Sequence, residues 1–552
     1  MPTTPRSIRL GAILLFSILA IGSLPVWSQA GGDAAIPLPP MGWSSWNSFS
    51  NRIDSKIAMQ QAQALISTGM AKQGFQFVNI DEGWWLGTRD SEGNIVVEPT
   101  RWPAIAPGEH AGDMSNIVRY IHGLGLKAGI YTDAGNDGCS FYGPDLGPKM
   151  PHTGSEGHYE QDFLQFAKWG FDYVKVDWCG GNGENLDPAL QYAEVARAIH
   201  RAEVITGHKL YYSICNWGKD SPWTWAPGIG GVQADIWRTS GDIVAPIVAD
   251  SPNSSRRATL EEVLGNFDKG IHPEAQHTGY YNDPDMMVLG MPGLGDVENR
   301  LHMTLWAISG APLLVGADLT KLSPGAQADL TNSEVIAIDQ DPLGLQAVCV
   351  SPPDAKVEVW VKKLANTDRG KRAVLLLNRS ATEQHAHVSL SELSLAAGDA
   401  QVRDVWTHRN LDRQSLDQAV VPAHDALLFI VEGREPEGAG YAPAATANDA
   451  PDNRFAGSAW NFSGVKAADG RAWITLNYSN PGDTTELMEL RVNGIRQSAI
   501  ALPASNASQN TVTLEVNLEA GNHPNQITLL GQTGGKASPT AIKVIAISGS
   551  QK

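Results

Sequence analysis

Between Ile36 and about Asp341, strand-like runs alternate with helix-like runs, and nearly every strand ends in polar or aromatic residues. This alternation constrains the fold more than any other feature, because it is typical of parallel sheets. Eight such strands predict a (β/α)8 barrel over residues 31–344. The alternative is a doubly wound open sheet, which ordinarily carries a glycine-rich phosphate loop after its first strand. The first strand end, Met41–Asn47, has none.

The fourth strand of this series is the most informative, Phe171–Gly181. In an extended strand Lys175 and Asp177 point to the same face, at an end where barrel enzymes place their chemistry. The ammonium of Lys175 would favour the ionised form of the Asp177 carboxyl, and an ionised carboxylate at a barrel rim is a candidate nucleophile. The alternative interpretation is a structural ion pair.

Carboxylates and aromatic residues recur together at the predicted carboxyl ends of the strands. The carboxylates are Asp81, Glu82, Asp177, Asp242, Asp283 and Asp285, and the aromatic residues are Trp43, Trp46, Trp84, Tyr131, Trp178 and Trp217. A sugar packs its apolar face on an aromatic ring while its hydroxyls need acceptors, so the pattern favours a carbohydrate substrate. Two of the acids could perform glycosidic chemistry, one as nucleophile and one as general acid.

Charge and the N-terminus limit the classes of partner. The 552 residues carry a formal net charge of −18, which disfavours nucleic acid and anionic membranes and favours a neutral substrate. Residues 1–30 have the pattern of a secretory signal, with Arg6 and Arg9 before an apolar run and a small-residue cleavage site at Ser28–Ala30. A retained anchor helix is the alternative. The expected location is therefore secreted or periplasmic, with no membrane association after processing.

The four cysteines fit an oxidising compartment, and no metal-ligand spacing is present, so neither a metal nor a cofactor is expected. Cys139 and Cys179 each follow a strand-like run by a few residues. A bridge between neighbouring strand ends is therefore plausible, although spacing alone does not prove it.

Several ordered motifs resemble glycoside hydrolase family 27, the α-galactosidases and α-N-acetylgalactosaminidases, over residues 36–433. They are Met41-Gly42-Trp43, Gly129-Ile130-Tyr131, Lys175-x-Asp177-x-Cys179, Cys215-x-Trp217, Arg238–Asp242, Asn282–Met286, Asn332–Ile336 and Gln340–Gly344. The resemblance implies that Asp177 is the nucleophile, that Asp242 is the acid/base and that Cys139 pairs with Cys179. It also implies the sugar-binding residues Trp46, Asp81, Glu82, Tyr131, Lys175, Cys215, Asn216, Trp217, Arg238, Asp285 and Met286.

The resemblance implies a secreted, retaining exo-glycosidase that acts on oligosaccharides or polysaccharides with terminal α-galactose. The chain departs from the family at Glu82, where the family usually has Asp, at Gly83, where it usually has Cys, and at Asn216, where Glu is frequent. Because the longer acid at position 82 would press into the space of galactose C6, β-L-arabinopyranosidase or dual activity is the alternative. An N-acetylated sugar is not expected. A catalytically silent sugar-binding protein is a third class, and the retention of Lys175 and Arg238 argues against it.

Beyond the barrel the helical patterns stop. Residues 345–432 predict an antiparallel β-sandwich, matching the domain usual in the family, and residues 433–455 predict a linker rich in Gly, Pro, Ala and Glu. Residues 456–552 predict a second β-sandwich, which resembles carbohydrate-binding modules of families 35 and 6; a plain β-sandwich spacer is the alternative. Trp460, Phe462 and Trp473 are predicted to lie in its core rather than on a sugar-binding surface.

Overall fold

The computed structural model describes residues 38–142, 150–228, 234–243, 257–366, 368–446, 455–504 and 510–549. The predicted signal peptide, residues 1–30, lies outside these ranges. Within them, no helix is both long enough and apolar enough to cross a membrane.

Eight parallel strands form the first sheet, in the spatial order β8-β1-β2-β3-β4-β5-β6-β7. They are β1 (Met41–Ser44), β2 (Phe77–Asn79), β3 (Lys127–Asp133), β4 (Tyr173–Asp177), β5 (Tyr211–Cys215), β6 (Ile236–Arg238), β7 (Tyr281–Asp283) and β8 (Leu313–Val315). The ring closes where Met287, just past β7, forms a parallel bridge with Val315 of β8. The Met287 N–H donates to the Leu314 carbonyl at 2.7 Å, and the Gly316 N–H donates to the Met287 carbonyl at 2.8 Å. The closed ring confirms the predicted barrel and excludes the alternative, an open sheet.

Helices connect most of the barrel strands. The α-helices of the barrel are Trp46–Phe49, Ser55–Ser67, Ser115–Gly123, Cys139–Tyr142, Tyr159–Trp169, Cys179–Gly183, Pro188–Thr206, Leu260–Lys269, Asp296–Ser309, Pro324–Leu330 and Ser333–Asp339. Short 3-10 helices span Ser50–Arg52, Met70–Gln73, Pro222–Thr224 and Leu319–Lys321. Asp54 caps the helix Ser55–Ser67, as predicted, by accepting a hydrogen bond from the Ile57 N–H.

Two connections differ from a regular barrel. Between β5 and β6 the described residues contain only the 3-10 helix Pro222–Thr224, because the sequence that follows is rich in Pro and Gly and does not support a helix. After β2 the chain forms an antiparallel hairpin, Trp85–Arg89 with Ile95–Val97, which was not predicted from the sequence.

The barrel interior is filled by one mainly aromatic cluster. Its members are Trp46, Phe77, Tyr173, Tyr211, Ile236, Tyr281, Met286 and Leu314. The rings of Tyr173 and Tyr211 stack at 5.8 Å with an interplanar angle of 8°. The sugar-binding candidates Trp46 and Met286 belong to this cluster, so the interior side chains support one wall of the site described below.

The second domain is an antiparallel sandwich, as predicted. Its main sheet has six strands in the order Val348–Cys349, Glu358–Leu364, Gly370–Asn378, Asp425–Arg434, Ala396–Asp404 and Arg409–Leu411. A two-stranded sheet, Gln384–Ala386 with Ala419–Val421, and the short helix Gln414–Asp417 complete it. The Trp360 and Phe267 rings meet edge to face at 5.0 Å and join the sandwich to the barrel.

The third domain consists of two antiparallel sheets. One contains Ala439–Tyr441, Ser538–Ala546, Arg471–Ser479 and Asn510–Asn517, and the other contains Ala444–Thr446, Ala459–Ala467, Gly521–Gly531, Glu486–Val492 and Ile495–Leu502. Two of these strands, Ala439–Tyr441 and Ala444–Thr446, lie within the stretch predicted as a linker. The linker prediction is therefore wrong for these residues, because they satisfy their backbone groups by pairing with the last sheets.

The predicted core aromatics of the third domain are largely buried. Phe462 is inaccessible, Trp460 is half-buried and Trp473 is 1% exposed. The Trp473 ring faces the second domain, where Arg372 and Lys363 lie 4.9 Å and 5.8 Å from its centre. Trp473 therefore serves the contact between the domains, and its surface is not free for a sugar.

Candidate active site

A largely buried lysine links two carboxylates across adjacent ends of the barrel strands. Lys175 Nζ donates a hydrogen bond to Asp81 Oδ2 at 2.9 Å and lies 3.9 Å from Asp177 Oδ2. Asp177 is the last residue of β4, and its Oδ1 accepts a hydrogen bond from the Trp178 N–H at 2.9 Å. Asp81 Oδ1 accepts from the Glu82 N–H. The two carboxylates are thus held in fixed orientations around one cation.

The electrostatics of Asp177 differ in part from the sequence prediction. Burial raises the pKa of Asp177 to about 6, Lys175 opposes this rise, and the charges of Asp81 and Asp242 add to it. Lys175 therefore favours the ionised carboxylate, as predicted, but its closer partner is Asp81 and its effect is outweighed by desolvation. Burial alone would lower the pKa of Lys175, but Asp81, Cys215 and Asp177 together raise it above its usual range.

A second cation, Arg238, is buried at the ends of β6 and β7. Arg238 Nη2 donates to Asp242 Oδ1 at 3.1 Å, and Arg238 Nη1 lies 2.9 Å from Asp285 Oδ1. The Asp242 side chain is 38% exposed, whereas Asp285 is inaccessible. Burial raises the pKa of Asp285 to about 7; Arg238 lowers it, and the Asp242 charge raises it. Of the two acids, only Asp242 is accessible to water.

The loop that carries Asp242 is tied to the loop after β7. Asn266 Nδ2 donates to the carbonyl oxygens of Gly241 and Pro284 at 2.7 and 2.8 Å, and the Ser240 hydroxyl donates to Pro284 at 2.8 Å. Asp285 has a φ of 129°, a conformation that side-chain-bearing residues rarely adopt. Such strain persists only where surrounding contacts impose it, and here those contacts set the position of Asp242.

Glu82 is turned onto the loop that follows β3. Its carboxyl accepts hydrogen bonds from the Ser140 N–H at 2.9 and 3.0 Å and from the Ser140 hydroxyl at 2.5 Å, and Glu82 is inaccessible to solvent. Burial raises the pKa of Glu82 to about 8; the Ser140 hydrogen bonds lower it, and the Asp81 and Asp177 charges raise it. A direct contact between Glu82 and a sugar, which the resemblance implied, would require the carboxyl to leave Ser140.

A disulfide joins Cys139 to Cys179, with the two Cα atoms 5.0 Å apart, which agrees with the predicted pairing. It connects the segment that holds Glu82 to the segment that follows the Asp177 strand. Asp133, the last residue of β3, lies beneath this connection, and its Oδ1 accepts from the Gly135 and Gly180 N–H groups at 2.7 and 3.0 Å. Burial and the neighbouring Asp177 charge raise the pKa of Asp133.

Four further residues predicted to bind the sugar lie on β3 or at the end of β5. The Tyr131 ring centre is 5.3 Å from Lys175 Nζ, and Cys215 Sγ accepts a long hydrogen bond of 3.7 Å from Arg238 Nη1. Asn216 is inaccessible and donates to the Lys219 carbonyl at 2.6 Å, so it stabilises its own loop. Trp217 is half-buried, with a positive φ of 53°.

Three of the aromatic residues predicted beside the carboxylates are wholly buried, which corrects that grouping: Trp43, Trp84 and Trp178. The indole N–H of Trp84 donates to the Tyr131 carbonyl at 3.0 Å, and that of Trp43 donates to the Ala317 carbonyl at 2.9 Å. Their rings pack in the hydrophobic core, so they cannot contact a substrate.

Three residues of the site were not identified from the sequence: Asp133, Ser140 and Asn266. Asp133 had a signal, since it ends a predicted strand as Asp177 does. Ser140 and Asn266 had none, because their roles depend on loops folding back across the ends of the strands.

A barrel whose carboxyl end holds two aspartates, each beside a cation, is the kind of site that a glycoside hydrolase needs. The comparisons with known proteins specify the family. The family model described as alpha galactosidase A matches residues 38–341, more than half of the chain. The model described as the alpha galactosidase C-terminal beta sandwich domain matches residues 354–431. The chain belongs to the alpha galactosidase A family.

Curated relatives and solved structures agree with this assignment. The chain is 36% identical to an alpha-galactosidase of Oryza sativa subsp. japonica over 71% of its own length and 84% of that protein. It is 34% identical to alpha-galactosidase A of Cellvibrio japonicus over 76% and 99%. The crystal structure of alpha-galactosidase I from Mortierella vinacea matches with a TM-score of 0.60 and 28% identity, over 73% of this chain and 99% of that chain. The family models end at residue 431, so the carbohydrate-binding resemblance of the third domain stays a prediction.

Proposed function

We propose that this protein is a retaining exo-α-galactosidase, exported by its N-terminal signal, that removes terminal α-galactosyl residues from oligosaccharides or polysaccharides. The observation that carries the proposal is the unequal pair of acids, a buried Asp177 beside Lys175 and an accessible Asp242 beside Arg238. A double displacement needs this difference, since one carboxylate must attack while the other must exchange protons. The names of the relatives support galactose as the sugar.

In the first step an Asp177 carboxylate oxygen attacks the anomeric carbon while Asp242 gives its proton to the departing glycosidic oxygen. The C–O bond to the leaving group breaks, and a covalent glycosyl ester forms on Asp177. In the second step Asp242, now a carboxylate, takes a proton from water, and the resulting hydroxide releases the sugar from Asp177. The exposed position of Asp242 supports this role, because leaving group and water must both reach it.

Two measurements test the proposal. The purified protein should hydrolyse p-nitrophenyl α-D-galactopyranoside, and proton NMR of the first-formed sugar should show the α-anomer. A β-anomer as the first product would contradict the nucleophile role of Asp177. Export is tested separately, by mass spectrometry of the protein recovered outside the cytoplasm, which should begin near residue 31.

Glu82 favours a second candidate, β-L-arabinopyranosidase or dual activity. β-L-Arabinopyranose is α-D-galactopyranose without its C6 hydroxymethyl group, and Glu82 is one methylene longer than the usual Asp. Its carboxyl lies close enough to Asp81 and Asp177 for their charges to raise its pKa. In this second candidate the Glu82 carboxyl turns away from Ser140 toward the sugar pocket, where the longer side chain would restrict the space for C6.

The ratio of kcat/KM on the nitrophenyl glycosides of the two sugars distinguishes the candidates. If Glu82 selects the sugar, Glu82→Asp should move this ratio toward galactose by about tenfold, the usual value of one methylene. Glu92→Asp, in the exposed tip of the hairpin after β2, is the matched control and should leave the ratio unchanged. An unchanged ratio in Glu82→Asp would remove the support for arabinopyranose.

A further inference from the structure

A cavity of about 540 Å³ lies at the carboxyl end of the barrel, outside the site of Asp177 and Asp242. It is formed by the loops that follow β1, β7 and β8. The loop after β1 contributes Ser48 and Phe49, from the same short helix as Trp46 of the sugar pocket. The cavity and the active site are therefore neighbours on one face, and the cavity volume lies in the range of about 300–1,000 Å³ found for small-molecule sites.

The lining combines apolar surface with hydrogen-bonding groups. Phe49, Met291, Pro292 and Leu294 provide the apolar part, and the Phe49 ring is held edge to face against Trp43 at 5.9 Å. An anchored aromatic ring beside aliphatic side chains suits the apolar face of a pyranose.

One buried polar side chain of the lining keeps a donor that has no partner among the described residues. Asn299 is only 5% exposed, and its Oδ1 accepts a hydrogen bond from the Gly290 N–H at 3.1 Å. Its Nδ2 has no hydrogen-bond partner among the described residues. A donor held in the lining of the cavity can bind a hydroxyl or ring oxygen of a ligand.

The charges that line the cavity favour a neutral ligand. Lys321 Nζ is paired with Asp318 Oδ2 at 2.9 Å, and Asp318 Oδ1 also accepts from Gln61 Nε2 at 2.7 Å. The remaining carboxylate in the lining, Asp296, is exposed to solvent. An anionic ligand would meet these acids, whereas sugar hydroxyls can donate to them.

We propose that this cavity is an accessory glycosyl-binding subsite, which holds a second neutral sugar unit of the substrate while the terminal sugar occupies the pocket of Asp177 and Asp242. The inference rests on the proposed function, and it extends that function from monosaccharide release to recognition of a longer chain. The subsite strengthens binding of longer substrates and leaves the chemistry of bond cleavage unchanged.

The experiment compares p-nitrophenyl α-D-galactopyranoside with α-galactosyl oligosaccharides of increasing length. Asn299→Leu removes the free donor together with the acceptor of the Gly290 N–H, and Pro292→Trp blocks the cavity without removing a hydrogen bond. In Asn299→Leu the KM for the longer oligosaccharides should rise by about fivefold, the value of one hydrogen bond. In Pro292→Trp it should rise at least as much, because the ring fills the subsite, and in both variants kcat and the nitrophenyl reaction should be unchanged. Lys56→Ala, on an exposed face of the helix Ser55–Ser67, is the control and should change neither substrate.

The outcomes separate the two proposals. Absence of hydrolysis of the nitrophenyl galactoside by the wild type would overturn the proposed function. Normal hydrolysis of that substrate, with no dependence of KM on chain length or an equal effect of Pro292→Trp on all substrates, would overturn the subsite alone. If Asn299→Leu does not fold, Pro292→Trp still decides between these outcomes, because Pro292 lies on the exposed rim.

Discussion

Lys175 and Arg238 each contact two carboxylates at the end of the barrel. They differ in their distance to the aspartate proposed to be catalytic, which is Asp177 for Lys175 and Asp242 for Arg238. Lys175 makes its short contact, 2.9 Å, to Asp81 and stands 3.9 Å from Asp177. Arg238 contacts Asp242 and Asp285 at nearly equal distances, 3.1 and 2.9 Å. The side chain of Asp177 is 6% exposed, whereas that of Asp242 is 38% exposed.

In the proposed function this difference gives the two aspartates opposite roles. Asp177 is oriented by a backbone N–H and is largely buried, which suits the attacking carboxylate of the proposed function. Asp242 is attached to a buried cation at one oxygen and open to solvent elsewhere, as a group that exchanges protons must be. Each of the following variants changes one residue of these two groups of acids and cations.

Asp177→Asn should produce the largest effect, because it removes the proposed nucleophile and keeps the shape of the side chain. We expect kcat to fall by several orders of magnitude, about 4–8 kcal/mol of barrier, with the far-UV circular dichroism unchanged. Hydrolysis of the nitrophenyl galactoside is the measurement. A variant that keeps about a tenth of the wild-type kcat would show that Asp177 is not the nucleophile.

Asp242→Asn should have a large effect that depends on the leaving group. With an alkyl or sugar leaving group the loss should be about 10²–10⁴ in kcat/KM, the usual value of general acid catalysis. With an acidic phenol as leaving group, which needs little protonation, the loss should shrink. An equal loss with both leaving groups would assign Asp242 to binding instead of proton transfer.

The features that could be predicted from the sequence are those that depend on residues close together in the chain. The strands and their polar ends are local patterns, and so the barrel and the positions of Asp177 and Asp242 were predictable. The pairing of Cys139 with Cys179 came from the family resemblance and matches the structure. The lack of an α-helix among the described residues between β5 and β6 had a visible cause in the Pro and Gly residues there, which the regular alternation obscured.

Long-range contacts were not predictable. The hydrogen bonds of Glu82 with Ser140 depend on the loop after β3 folding over the end of β2, and no pattern in either segment specifies this. Similarly, the sequence placed Lys175 beside Asp177 because they share a strand face, but Asp81 comes closer from another strand. The partner that a charged side chain contacts depends on which opposite charge comes closest, and that distance is set by the geometry of the whole barrel.

Lys175→Met tests how much Lys175 lowers the pKa of Asp177. In the wild type kcat/KM should fall in acid with an apparent pKa of about 6, because protonation of Asp177 removes the nucleophile. Since Lys175 lowers the pKa of Asp177, its removal should move this acid limb to higher pH by about one to three units. The pH profile of kcat/KM is the measurement, with Lys127→Met at the exposed start of β3 as the control. An unmoved limb would mean that another group titrates there.

Glu82→Gln should have the smallest effect, on stability and not on chemistry. The folded protein holds the Glu82 proton more tightly than the unfolded chain, since burial raises the pKa of Glu82 from 4.5 to about 8. Its contribution to stability is therefore fully present in acid below the unfolded pKa and is lost as the pH rises to about 8. The glutamine amide of the variant does not titrate, so the variant lacks this dependence on pH.

The measured quantity is the free energy of unfolding in urea, wild type minus Glu82→Gln, across this range of pH. The difference should fall with a slope of up to about 1.4 kcal/mol per pH unit between the two pKa values. Glu92→Gln is the exposed control and should show no such slope. A difference independent of pH would show that Glu82 is ionised in the folded protein, with the Ser140 N–H and hydroxyl stabilising the charge. In that case the side of the barrel end around Lys175 would carry the buried charge of Glu82 as well, and the contrast with the Arg238 side would be one of charge as well as exposure.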